Sequence, residues 1–177
     1  MDIKKKQENF IHGLIVWATI NAALQRSNTY GEFSPNDKRW NMRVYMQSQL
    51  EEITQEYKDE VDDKKHMKNI SVFANAISAE HGSILKDGRF RIGIAQKALN
   101  LYLKYMWCQG KIGRPPHCPF DGIVINELRQ LDKNAEYRWT KSDSISDYRK
   151  WVEAAKKEAG DMSLAEWELN VWEKGTD

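Results

Sequence analysis

The sequence predicts an all-α fold, six to seven helices forming one domain over residues 1–177 around a buried central helix. Three observations carry that expectation. Apolar residues recur at helical rather than strand spacing along almost the whole chain. Ser34, Asp121, Ser144 and Ser163 each stand where a side chain can cap the start of a helix. The stretch Ile94–Cys108 is apolar nearly all round, which suits a helix at the centre of a domain.

The first helix is expected from about Lys5 to Gln25, with Phe10, Leu14, Ile15, Ala18 and Ala22 on one face, and Ser27-Asn28-Thr29-Tyr30-Gly31 breaks it. The second starts at Ser34-Pro35-Asn36-Asp37. Ser34 is placed to cap, Pro35 fits the first helical position, and Asp37 offers a carboxylate to the exposed N–H groups. Its apolar stripe is Trp40, Val44, Leu50, Ile53, Tyr57 and Val61, ending near Asp62. A third helix carries Met67, Ile70, Phe73, Ala74 and Ile77 and stops before the turn Lys86-Asp87-Gly88.

The central helix follows, with Leu99, Leu101, Tyr102, Leu103, Tyr105, Met106 and Trp107 relieved only by Lys97, Asn100 and Lys104, and Gly110 stops it. Three prolines and a glycine keep residues 113–119 out of regular structure. Asp121 then caps a short helix through Val124, Leu128 and Leu131. The last two helices start at Ser144, with Asp147 three residues on, and at Ser163, where Ser-Leu-Ala-Glu makes a capping box with Glu166.

Composition excludes several classes. Lys and Arg number 27 against 26 Asp and Glu, a net charge of +1, so any nucleic-acid surface has to be a local patch. Cys108 and Cys118 make neither a disulfide framework nor a four-cysteine metal site. The apolar run from Phe10 to Ala23 is interrupted by His12, Thr19 and Asn21, which suits neither a signal peptide nor a membrane span. A cytoplasmic protein without membrane association is the expectation.

One region carries candidate chemistry. It reads Gly93-Ile94-Ala95-Gln96-Lys97, then the apolar helix, then a proline-rich loop, then Pro119-Phe120-Asp121-Gly122. This order resembles the helix-hairpin-helix DNA glycosylase superfamily, with Ala95 in place of the second hairpin glycine. The resemblance covers roughly a fifth of the chain, and motifs this short recur by chance. It implies that Gly93 is the first hairpin glycine, Lys97 the Schiff-base lysine and Asp121 the catalytic aspartate, acting on a base taken out of the stack. A lysine partly desolvated by an apolar helix loses its proton more easily and becomes a nucleophile. The same residues also have structural readings. Asp121 is placed as a helix cap, Lys97 as a lysine snorkelling from a buried helix, and Gly93 as the end of a turn.

Around these residues lies a run of cations from residue 86 to 114, with Asp87 the only acid among them. Arg89, Arg91, Lys104, Lys111 and Arg114, with Gly93 and His117, are the candidate nucleic-acid contacts, interleaved with Tyr102, Tyr105 and Trp107. Cys108, His117 and Cys118, with His81 or Asp121, have the chemistry of soft metal ligands. Adjacent His117 and Cys118 are awkward for joint chelation, so no metal and no cofactor is expected. Glu52, Glu56 and Glu60 line one helix face without a second acidic helix and read as a solvated surface. The competing functional class is a non-enzymatic interaction or regulatory protein, of the kind phages and mobile elements encode, docking through Trp167 and Trp172 on the last helix.

Overall fold

A computed structural model describes residues 2–131 and 138–174. Seven α-helices span these residues: α1 Ile3–Leu24, α2 Asn36–Thr54, α3 Asp63–His81, α4 Ile92–Cys108, α5 Gly122–Leu131, α6 Ile145–Ala159 and α7 Leu164–Lys174. Short 3-10 turns at Gln55–Lys58, Gly82–Ile84 and Lys86–Gly88 link them, and extended pairing among the described residues is limited to one Tyr30–Leu85 bridge. The all-α array is the observed fold.

Helix α4 is its axis. Ile94, Ala95, Ala98, Leu99 and Leu103 are wholly buried. α1 and α3 pack along it, and α2 and α6 add shorter contacts. The aromatic side of the core joins Phe120 to Tyr148 and Trp151 of α6, and Phe73 to Phe90. No helix among the described residues is long and apolar enough to cross a membrane.

The capping signals hold wherever a free hydroxyl or carboxylate meets a helix start. Asp121 accepts from the N–H groups of Ile123 (3.0 Å) and Val124 (3.4 Å). Ser144 accepts from Asp147 N–H. Ser163 and Glu166 cap each other reciprocally, as the box requires. Ser34 departs from expectation. Its hydroxyl turns inward to the carbonyls of Gly31 and Ile84, tying the α1–α2 loop to the turn after α3, and Pro35 occupies the cap position.

Two helices leave exposed the apolar residues that open their expected stripes, while Leu50, Ile53, Tyr57 and Val61 are buried as expected. In α1 the core face is Val16, Thr19, Ile20, Ala23 and Leu24, whereas Phe10 and Leu14 are exposed. In α2 the core residues are Met42, Met46, Leu50 and Ile53, and Trp40 and Val44 face outward. Each helix carries two apolar stripes, and its position against α4 or α3 decides which is covered. α2 also ends at Thr54 instead of reaching Asp62, so Glu60 leaves the acidic row while Glu56 pairs with Lys65 (3.1 Å). The side chain of Leu131, expected in the core, lies outside the described residues.

Candidate functional site

The loop after α1 is built on backbone conformations that side chains resist. Gln25 leaves the helix extended, Arg26 adopts φ 60°, and Ser27 N–H reaches back to Leu24 O, a turn that normally wants glycine at the Arg26 position. Asn28 follows with φ 48°, and Asp87, on the facing turn, has φ 55°. Among the described residues these are the non-glycine positions in the left-handed region, and all three line one cleft of about 420 Å³. Its remaining walls are Ser27, Lys86, Arg91, Thr140 and Lys141.

Arg91 holds the cleft together. Its guanidinium donates to Ser27 O (2.5 Å), Asn28 O (3.2 Å) and Thr140 O (3.0 Å), joining the α1–α2 loop to the segment before α6. Burial lowers its pKa, with Asp143 and Asp87 opposing the shift. Arg26, Lys86 and Lys141 form no ion pair or side-chain hydrogen bond among the described residues, and Asp87 is the one carboxylate on the lining. The cleft therefore holds an excess of positive charge in a chain that is nearly neutral overall.

Lys97 and Asp121 lie next to it. Gly93 and Lys97 share a face of α4, and the loop after α4 returns Asp121 to within 3.9 Å of the Lys97 ammonium. The Trp139 ring covers the ammonium at 4.5 Å. Burial lowers the Lys97 pKa. Asp121 works against that shift, and Arg26 on the cleft wall adds to it. One oxygen of Asp121 caps α5 while the other faces the lysine.

The remaining candidates are placed differently from the cationic surface expected of them. The N-terminus of α4 gives its first N–H groups to the protein itself: Ile92 to Asp143 (2.9 Å) and Gly93 to Ser142 O (3.0 Å). A Cβ on Gly93 would stand 1.7 Å from Trp139 O, so close packing accounts for that glycine. Arg89 donates to Asp143 and Asn75, which clamps α3 to the segment before α6. Lys104 forms a buried ion pair with Glu168 at 2.7 Å, and Arg114 pairs with Glu166 at 3.2 Å. Lys111 is exposed on the far side, beside the N-terminal half of α1. Trp172 is half exposed, but Trp167 belongs to the core, so the two do not form one docking face. Cys118 is buried and Cys108 exposed. Among the described residues no cluster of His, Cys, Asp or Glu is arranged to hold a metal.

His117 is wholly buried and belongs to a polar chain through the core that sequence reasoning missed. Tyr57 bonds His66 (2.7 Å), His66 bonds Asn100 (2.8 Å), Asn100 donates to Tyr148 (3.1 Å), Tyr148 bonds His117 (2.8 Å), and His117 meets Asp63 (3.1 Å). Asp63 in turn pairs with Lys156. Gln96 ties the chain to Phe120, both through its NH₂ to the carbonyl and through its oxygen to the N–H. Burial lowers the pKa of both histidines. The one sequence signal for this chain was Gln96 and Asn100, four residues apart on a helix otherwise without polar need.

Comparison with protein-family models, with curated proteins and with solved structures gives no match.

Proposed function

We propose that this chain binds nucleic acid by its phosphate backbone in the cationic cleft between the end of α1, the 86–91 turn and the segment before α6. The observation that carries the reading is the convergence of Arg26, Lys86 and Lys141, free of ion pairs among the described residues, on a cleft whose walls include Arg26, Asn28 and Asp87 in the left-handed region. Arg26 there costs about 1–2 kcal/mol, whereas Asn and Asp tolerate the region, and strain of this kind collects at sites that use it.

The test is the anisotropy of labelled single-stranded, duplex and abasic oligonucleotides over a series of salt concentrations. Binding is expected to weaken with salt by a slope of roughly 0.7–0.9 per phosphate contacted. Arg26→Ala, Lys86→Ala and Lys141→Ala should each weaken it and flatten that slope by about one, while Lys111→Ala leaves it unchanged. Binding indifferent to all three cleft variants would reject the site, and no binding to any oligonucleotide would reject the function.

A finer reading rests on the 3.9 Å approach of Lys97 to Asp121. The neutral Lys97 amine adds to the aldehyde of an abasic sugar, and the carbinolamine takes up a proton from solvent and releases water to give a protonated imine whose charge Asp121 stabilises. Borohydride reduction should trap the chain on abasic DNA, and Lys97→Ala should abolish trapping while leaving salt-sensitive binding in place. Trapping that survives in the alanine variant removes Lys97 from the chemistry.

A further inference from the structure

We infer that two copies of this chain pair through the outer face of α1, antiparallel about a two-fold axis beside Gly13 and Leu14. The inner face of α1 is committed to α4 and the core. Its outer face is a row at positions 3, 7, 10, 14, 17 and 21, alternating steps of four and three, the seam of a helix that packs on another helix. Ile3 (67% exposed), Phe10 (66%), Leu14 (51%) and Trp17 (67%) occupy four of those positions. Gln7 and Asn21 occupy the others.

The patch extends onto α2. Asn21 accepts a hydrogen bond from Arg43 at 2.7 Å, and Trp40 and Val44, both exposed, stand one turn before and one residue after that arginine. A whole aromatic side chain offers roughly 150–250 Å². Phe10, Trp17 and Trp40 at about two-thirds exposure thus leave roughly 400 Å² bare, and the aliphatic residues bring the face towards the roughly 800 Å² per partner of a stable interface. An isolated soluble chain rarely leaves so large an apolar patch open to water.

The occupant is argued from symmetry and charge. Phe10 stands three residues before Gly13, and Trp17 three after Leu14, so a second α1 laid antiparallel brings each Phe10 onto the partner's Trp17. Such a contact is self-complementary, as a two-fold interface must be. Lys4, Lys5 and Lys6 are exposed in the first turn. Parallel pairing would set this triad against its copy. Antiparallel pairing sets it at the C-terminal end of the partner's α1, where the helix dipole favours cations and the last turn of α1 holds no basic residue, Arg43 of α2 being already bonded to Asn21. Gly13 is the second independent sign. A glycine inside a helix lowers its stability, and nothing in this chain approaches its Cβ position within 4 Å. A second helix crossing there gives the glycine a use.

Sedimentation velocity and light scattering on the full chain test the pairing. Wild-type protein at tens of micromolar should run near twice 20.7 kDa, and Leu14→Glu should run as a folded monomer with unchanged helical circular dichroism. Single cysteines in a Cys108→Ser background read the register without disturbing the fold. Leu14→Cys should cross-link to a dimer on oxidation and Ile3→Cys should not. A wild-type monomer throughout the range, a dimer indifferent to Leu14→Glu, or cross-linking at Ile3 would each overturn the antiparallel pair. None of these outcomes bears on the cleft, whose nucleic-acid binding is measured separately.

Discussion

Lys97 on α4 and Asp121 at the head of α5 stand 3.9 Å apart, with the Trp139 ring over the lysine and the charge of Arg26 close enough to oppose its protonation. The lysine is thus held between one stabilising carboxylate and two influences, burial and a neighbouring cation, that favour its neutral form.

The Lys97 environment makes signed predictions for its titration. In protein reductively methylated with ¹³C, the Lys97 resonance should titrate below the ordinary lysine value of 10.5. Asp121→Asn, which preserves the cap, removes the favourable charge and should lower the midpoint further. Arg26→Ala should raise it. A midpoint that moves in the same direction in both variants would show that charge is not what sets it.

Arg26 should separate stability from function. A glycine accepts φ 60° without the cost borne by a side chain, so Arg26→Gly should raise stability by up to about 1 kcal/mol, seen as a higher urea midpoint. The same variant loses a cleft cation and should bind oligonucleotides more weakly.

Gly93→Ala should be strongly destabilising, because the added Cβ would meet Trp139 O at 1.7 Å. Overpacking of this kind costs about 1–3 kcal/mol, and here the obstacle is backbone. Denaturant unfolding checks the cost, and the fluorescence of Trp139 should report the displaced segment.

The core histidines predict acid sensitivity. Burial holds the pKa values of His66 and His117 below the ordinary 6.5 of the unfolded chain. As pH falls below about 6.5 the unfolded state takes up these protons first, so the stability present above that pH is lost on acidification. The groups facing His117 are Asp63, Tyr148 and His66, with Lys156 beyond Asp63. Asp63, whose pKa is lowered chiefly by its bond to His117, contributes above its ordinary 3.8 and is lost later. Urea titrations between about pH 7.5 and 5 should show a slope of up to about 2.7 kcal/mol per pH unit for two protons. His117→Gln should flatten it by about half.

The buried pair Lys104–Glu168 predicts a non-additive result. Glu168→Ala leaves an uncompensated ammonium and should cost about 3–5 kcal/mol, whereas replacing both residues with apolar ones of similar volume should be close to neutral. Chemical unfolding of the two singles and the double completes the cycle.

Helix existence and helix starts were legible in the sequence because they depend on neighbours a few residues away. The Ser163–Glu166 box, the Ser144 cap and the all-round apolar character of the α4 region are local facts, and the structure reproduces them. The cap at Ser34 failed because its hydroxyl found two carbonyls, one of them Ile84 O, fifty positions away in the chain.

What the tertiary structure alone decided is which groups meet. The cations between residues 86 and 114 look alike in sequence, yet Arg89, Lys104 and Arg114 find acidic partners from the segment before α6 and from α7. The cations of the cleft come partly from Arg26 and Lys141, far outside that run. Phe10 and Trp40 look like core residues by spacing, but a helix with two apolar stripes can bury only the one that faces its neighbour. The polar chain from Tyr57 to Asp63 joins five separate segments through single hydrogen bonds. Short-range preference and periodicity are written residue by residue; pairing across the fold depends on where α4 draws the other helices, and only the packed chain contains that information.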